Sequence, residues 1–126
     1  MPNDCWNHIT ITCDCIIELD NLVNNELKHK EGDKLVYNET VTMIKKGSKG
    51  IIFDKITNWQ PDIMWLEDLL HKYSMCWIKN EWYEEGGLAG VWVGSKKEDK
   101  LNIKELEWED LTIEGKMFLF DDSDNK

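Results

Sequence analysis

The sequence of 126 residues contains no arginine, since all fifteen basic residues are lysines, and 25 acidic residues outnumber them. The guanidinium fork of arginine is preferred for reading phosphates and base edges, and nucleic-acid affinity comes mainly from neutralising phosphates. A formal net charge of −10 is poorly suited to that task. We therefore expect no nucleic-acid partner, and we expect the acidic residues to lie on solvent-exposed faces of the protein.

Long apolar segments are also missing. No apolar run approaches the ~18 residues that a membrane span needs. The opening MPNDCWNHIT lacks the basic and then apolar order of a signal peptide. We therefore expect an intracellular protein with no membrane association. The length fits one domain, which we assign to residues 1–120, with an acidic tail over 121–126.

The cysteines are few: Cys5, Cys13, Cys15 and Cys76. A zinc site made of the first three and His8 has to be weighed, because these residues are close in sequence. If residues 7–14 form a strand, however, His8 points away from the face that the odd-numbered residues share. We therefore expect core thiols, and we predict no metal ion and no cofactor.

Catalytic motifs are absent as well. The glycines do not have phosphate-loop spacing, because GSKG (47–50) lacks the preceding glycine and a following helix. The three histidines, His8, His29 and His71, fall on a predicted strand, a helix end and a helix. They form no catalytic set with a serine or a cysteine. We predict no catalytic residues and a protein that is not an enzyme.

Hydrophobic periodicity predicts the elements of the first half. NHITITC alternates with period two and indicates a strand over 7–13, whereas apolar spacings of three and four indicate a helix over 16–29. The segments 35–45 and 51–56 are rich in β-branched and apolar residues. The glycines of 47–50 predict a hairpin turn between them.

A second helix is predicted after Pro61, with Asn58 or Thr57 as its cap and an apolar face from Trp65 to Tyr73. Asp62 suits the positive end of its dipole.

The remaining elements are a hairpin of strands over 75–83 and 88–94, a further strand over 101–108, and a short last helix over 110–120. The order is strand, helix, strand, strand, helix, strand, followed by a hairpin and a helix. It predicts an α+β protein with a ferredoxin-like (βαββαβ) antiparallel sheet and two helices on one face. A C-terminal β-hairpin and short-helix extension completes it.

Two stretches, MPNDCWNHITI and WQPDIMWLEDLLHKYSMCWIKNEWYEEGGLAG, resemble the YubB-like (ferredoxin-like) domain family of plasmids, phages and large DNA viruses. The opening matches at Pro2, Asn3, Cys5, Asn7, Thr10 and Ile11 and departs at Asp4, where the family has tryptophan. The resemblance implies a ferredoxin-like fold and a viral or mobile-element origin, and it implies no catalytic residue. Lysine, asparagine and isoleucine, all with AT-rich codons, supply 37 of the 126 residues, which agrees with that origin.

Tryptophan is abundant, with seven residues. Trp77 and Trp82 are five positions apart on one predicted strand, so we expect them on opposite faces of the sheet. One of them then lies on the face away from the helices, where Trp92 and Trp108 are candidates to join it. Two interpretations stay open: the indoles fill the core beneath the C-terminal extension, or they form an exposed surface.

We predict a non-catalytic viral or mobile-element accessory domain that binds another protein, or itself, through an aromatic, acid-rimmed face. A minor virion or assembly component fits the same features. The alternative is a small-ligand protein, for a nucleotide-like or cationic molecule, or a hydrolase that uses Glu81, Glu84 and Glu85 beside Trp82. The candidate binding residues are Trp77, Glu81, Trp82, Tyr83, Glu84, Glu85, Trp92 and Trp108.

Overall fold

The computed structural model describes residues 3–108 and contains a six-stranded sheet, a separate two-stranded hairpin and two helices. The strands are β1 (Asp4–Cys13), β2 (Lys28–Glu31), β3 (Lys34–Tyr37), β4 (Val41–Lys46), β5 (Gly50–Asn58), β6 (Cys76–Glu84), β7 (Ala89–Lys97) and β8 (Lys100–Trp108). The helices are α1 (Ile16–Leu22), which a π-helical turn (Val23–Leu27) continues, and α2 (Ile63–Lys72).

The large sheet has the strand order β4-β5-β1-β6-β7-β8, and every neighbouring pair is antiparallel. The predicted hairpins β4–β5 and β6–β7 are both present, and β8 pairs with β7. An α+β protein with a large antiparallel sheet and two helices is therefore confirmed. The element order is not a simple βαββαβ, because the hairpin β2–β3 lies between α1 and β4, and two strands follow β6.

Both helices pack on one face of the large sheet. Their buried leucines share a single core cluster with the side chains of Ile9, Ile11, Phe53 and Ile78. Alternation along β1 buries its odd-numbered residues on the helix side, and Ile9, Ile11 and Cys13 belong to this core. Its even-numbered residues Trp6, His8, Thr10 and Thr12 lie on the opposite side, which we call the open face.

The first helix is shorter than the sequence predicts. Its π-helical turn ends at Leu27, so His29 lies on β2 and not at a helix end. The segment 35–45 is also two strands in different sheets rather than one strand. The chain turns between them, where the Val41 amide donates to the carbonyl of Asn38 over 3.0 Å.

The start of α2 differs from the prediction too. Its cap is Asp62, whose carboxylate accepts a hydrogen bond from the Trp65 amide at 3.2 Å. Thr57 does not cap the helix, because it lies within β5 and its hydroxyl oxygen accepts a hydrogen bond from the Asn7 side chain at 3.0 Å. The predicted helix over 110–120 and the tail over 121–126 lie outside the described residues.

Candidate functional site

The register of the sheet separates Trp77 from Trp82. Trp77 is opposite Thr12, on the open face, and is 37% exposed. Trp82 is opposite Asn7, on the helix side, and is 9% exposed. The expectation that these two indoles lie on opposite faces is therefore confirmed, and Trp77 is the one on the open face.

Trp92 does not join the open face. It is opposite Asn80 on the helix side and is only 1% exposed, within the core cluster. Gly94 leaves room for its ring, since a Cβ added there would lie 2.5 Å from the indole. This corrects the interpretation of Trp92 as a surface residue. Trp108 ends β8, where its backbone pairs with Ala89.

The carboxylates Glu81, Glu84 and Glu85 do not converge. Glu81 lies on the open face, 3.5 Å from the Lys79 ammonium. Glu84 is buried at the β6–β7 turn and accepts hydrogen bonds from the Leu88 amide and the Asn3 side chain, both at 3.2 Å. Glu85 accepts from a backbone amide of β1. Two of the three therefore hold the turn together.

Hydrogen bonds from the backbone amides of Gly86 and Leu88 hold the pKa of the Glu84 carboxyl below its ordinary value, against the opposing effect of burial. A carboxylate stabilised in this way is a structural anion. It is poorly suited to serve as a general acid.

The open face carries exposed aromatic side chains and the carboxylates of Asp54 and Glu81. Tyr83 is 46% exposed and stacks on Trp6 with ring centroids 4.8 Å apart. The carboxylate of Asp54 pairs with His8 at 2.6 Å. Since Glu81 is also paired, both of these open-face carboxylates have a basic neighbour.

A second aromatic and acidic region, a cleft, lies on the helix side, between the start of α2 and strands β6 and β8. Its volume is about 540 Å³. We call it the helix-side cleft. The residues that give it its character are Trp59, Asp62, Ile63, Met64, Trp82, Leu88, Glu105 and Glu107.

Sheet alternation positions the two acidic side chains of β8. Glu105 and Glu107 are opposite Trp92 and Gly90, so both lie on the helix side of the sheet. Both are exposed. Trp59, in the loop before α2, has a φ of 71° and is 57% exposed. The cleft thus has a buried indole at its base and an exposed one at its rim.

Sequence reasoning did not single out Trp59, Glu105 or Glu107. A signal was present for the glutamates, because alternation in KELEW places them on one face of β8. Assigning that face required the register from β6 through β7 to β8, and the sequence alone did not provide it.

The cysteines also separate into two groups. Cys5 is buried near the start of β1, whereas Cys13 ends that strand opposite Cys76. Burial raises the pKa of the Cys76 thiol, and its hydrogen bond with Cys13 adds to that effect. The side chain of His8 lies on the open face, away from these thiols.

No family model matches this chain, and neither a curated protein nor a solved structure matches it. Among the described residues, no helix is long and apolar enough to cross a membrane.

Proposed function

We propose that this protein is a non-catalytic domain that binds another protein, and that its helix-side cleft takes up a lysine or arginine side chain of that partner. The observation that carries the proposal is the composition of the cleft. Two indoles, Trp59 and Trp82, lie beside the carboxylates of Asp62, Glu105 and Glu107. Within residues 3–108, none of the cleft-lining residues is basic.

The chemistry of a long cationic side chain fits this lining. An ammonium or guanidinium group over an indole face gains about 0.5–2 kcal/mol, depending on how far it is desolvated. Carboxylates at the rim hold the charge, while Ile63, Met64 and Leu88 offer apolar contact to the methylene stem. The protein already uses such a contact internally, since the Lys55 ammonium lies 3.4 Å from the centre of the Trp65 ring.

The overall charge favours the same class of partner. A net charge of −10 attracts basic surfaces and speeds their encounter with the protein. Serine, cysteine and histidine are not among the cleft-lining residues of the described chain, and the carboxylates of Asp62, Glu105 and Glu107 are exposed. These features support binding rather than catalysis.

The test uses synthetic peptides that share one neutral sequence and differ only in a central lysine, arginine, glutamine or glutamate. The seven tryptophan indole N–H signals of ¹⁵N-labelled protein, assigned by single Trp→Phe variants, report where each peptide binds. We expect the lysine and arginine peptides to shift the signals of Trp59 and Trp82 and to leave that of Trp92 unchanged.

A pair of double variants separates the cleft from the overall charge. Glu105→Gln/Glu107→Gln removes two carboxylates from the cleft and should lower the affinity for the lysine and arginine peptides at least tenfold. Asp33→Asn/Glu39→Gln removes the same charge from exposed loop positions that do not line the cleft and should leave affinity within about twofold, since exposed charges that do not touch the ligand act on it through water and salt. Equal losses in both variants, or no response to any basic peptide, would contradict the proposal.

Self-association through the open face is a second candidate function. Copies of a chain at −10 repel one another, so a self-interface needs a face whose negative charges are neutralised. Lys79 lies 3.5 Å from Glu81 and offsets its charge, and the carboxylate of Asp54 is hydrogen-bonded to His8 at 2.6 Å. Exposed apolar side chains around the Trp6–Tyr83 stack supply the contact surface, among them Ile56 and Leu106.

Light scattering over a concentration series tests this second candidate. We expect a dimer that Tyr83→Lys abolishes. Ile17→Lys makes a comparable change on α1, where Ile17 is 71% exposed, and should leave the dimer intact. A monomer at every concentration would exclude self-association and leave the helix-side cleft as the binding site.

We further infer a ferredoxin-like unit made of β1, α1, β4, β5, α2 and β6, with β2–β3 inserted and β7–β8 added at one edge. The adjacent strands β4-β5-β1-β6 support this assignment. Membership of the YubB-like family, and with it a viral or mobile-element origin, remains a proposal that rests on the two sequence stretches named above.

A further inference from the structure

Three of the four cysteines meet at one end of the large sheet. Cys13 ends β1 and lies directly opposite Cys76, the first residue of β6. Both are nearly inaccessible, at 3% and 2% exposure. Cys15 follows two residues later, at the point where the chain turns into α1, and is partly exposed.

A carboxylate points at this pair of thiols. Glu18 lies in the first turn of α1, and one of its oxygens accepts a hydrogen bond from the Met75 amide at 3.0 Å. The sulfurs of Cys13 and Cys76 and a carboxylate oxygen of Glu18 all lie within 4.8 Å of one another.

We propose that Cys13, Cys76 and Glu18 bind a zinc ion. Their two sulfurs and one carboxylate oxygen supply three of the four tetrahedral ligands that zinc takes, and a water molecule completes the set. Thiolates favour zinc over calcium or magnesium, which prefer all-oxygen sites.

The geometry needs only a small contraction. Zinc–sulfur bonds of about 2.3 Å and zinc–oxygen bonds of about 2.1 Å in a tetrahedron separate neighbouring ligand atoms by about 3.5–3.8 Å. The three ligand atoms already lie within 4.8 Å of one another. Side-chain rotations that move them by about 1 Å therefore bring them to the separations of a zinc site. The Met75 amide holds Glu18 from outside the site, as groups around metal ligands commonly do.

Such an ion would join three elements. Cys13 belongs to β1, Cys76 to β6 and Glu18 to α1, so coordination would fix the helix onto the sheet at this end. The role is structural, and it is independent of peptide binding in the helix-side cleft, which lies on other residues.

Cobalt(II) is the probe, because it takes zinc sites and has visible spectra. The full-length protein is reduced, freed of metal with a chelator and titrated with Co²⁺ under anaerobic conditions. We expect one equivalent to give a thiolate-to-cobalt charge-transfer band and the strong visible bands of a tetrahedral site. Zinc should remove both, and it should raise the thermal midpoint of the protein.

Cys5→Ser provides the matched control, because Cys5 is a fully buried cysteine on the same strand, outside the cluster. It should keep the cobalt spectrum. Cys76→Ser should lose the charge-transfer band, because it removes one of the two thiolates of the site. Glu18→Gln, on the partly exposed helix, should weaken cobalt binding at least tenfold, which keeps the test decisive if Cys76→Ser fails to fold.

Two results would overturn the proposal. The first is a reduced protein that takes up no cobalt. The second is a spectrum that Cys5→Ser alters as much as Cys76→Ser does.

Discussion

The indole ring of Trp82 lies directly against Gly90, its cross-strand neighbour on β7. A Cβ added at residue 90 would be 2.7 Å from ring carbon Cζ2 and equally close to the backbone oxygen of Leu106. The ring therefore extends over β7 towards Glu107, which is the next residue across the sheet. Glycine at this position is what allows a tryptophan to form the base of the helix-side cleft.

Replacing this glycine should damage both the fold and the cleft. In Gly90→Ala the methyl group meets a strand backbone that cannot move away, so we expect a loss of about 1–3 kcal/mol in the free energy of unfolding, as for other overpacked sites. Urea titration measures it. Gly47→Ala is the control, because its added Cβ lies 3.5 Å from the nearest atom, an ordinary contact. Equal stability of the two variants would mean that Trp82 moves freely over β7.

A buried pair of asparagines gives the second prediction. The Asn7 amide donates to the Lys55 carbonyl at 2.9 Å, and its oxygen accepts from the Asn80 side chain at 2.9 Å. Asn7→Ala leaves buried polar groups without partners, so we expect a loss of about 1–3 kcal/mol in the free energy of unfolding. Asn102→Ala, at an exposed position of β8, should change it by less than ~0.5 kcal/mol. Similar losses for both would show that water replaces the Asn7 contacts.

The sequence predicted most of the sheet, because alternation and turn residues are local signals. The hairpin around GSKG and the hairpin at Glu84–Gly87 could both be found from neighbouring residues. The opposite placement of Trp77 and Trp82 followed from strand geometry alone.

What the sequence missed depends on contacts between distant segments. The burial of Trp92 could not be predicted, because each face of β7 has enough apolar residues to be the buried face. The first helix was predicted to run to residue 29, two residues beyond the last apolar residue of its stripe, Leu27, yet the chain leaves the helix at Leu27 to build β2. The cleft itself joins a loop before α2 to a strand some fifty residues later. Local composition and periodicity do not indicate which distant segments come into contact.

The turn between β7 and β8 gives a stabilising prediction. Lys97 pairs with Lys100, and the two residues between them, Glu98 and Asp99, have φ values of 53° and 66°. Two positive φ values in a two-residue hairpin loop suit Asn-Gly far better than Glu-Asp. The double variant Glu98→Asn/Asp99→Gly should gain about 0.5–1 kcal/mol in the free energy of unfolding, measured in urea. An unchanged midpoint would mean that this turn opens before the rest of the sheet.

The Glu84 carboxylate should make the fold sensitive to acid. Because its pKa is lower in the folded protein than in the unfolded chain, it stabilises the fold above the unfolded pKa of about 4.3. That contribution is lost as the pH falls through the folded pKa. Glu84→Gln should therefore be less stable than the wild type at pH 7, and the difference should shrink steadily below about pH 4.5. Urea midpoints measured from pH 7 to pH 3 test this, with Glu39→Gln in an exposed loop as the matched substitution that should follow the wild-type curve. A gap between the wild type and Glu84→Gln that stays constant across that range would show that the turn needs the shape of the side chain and not its charge.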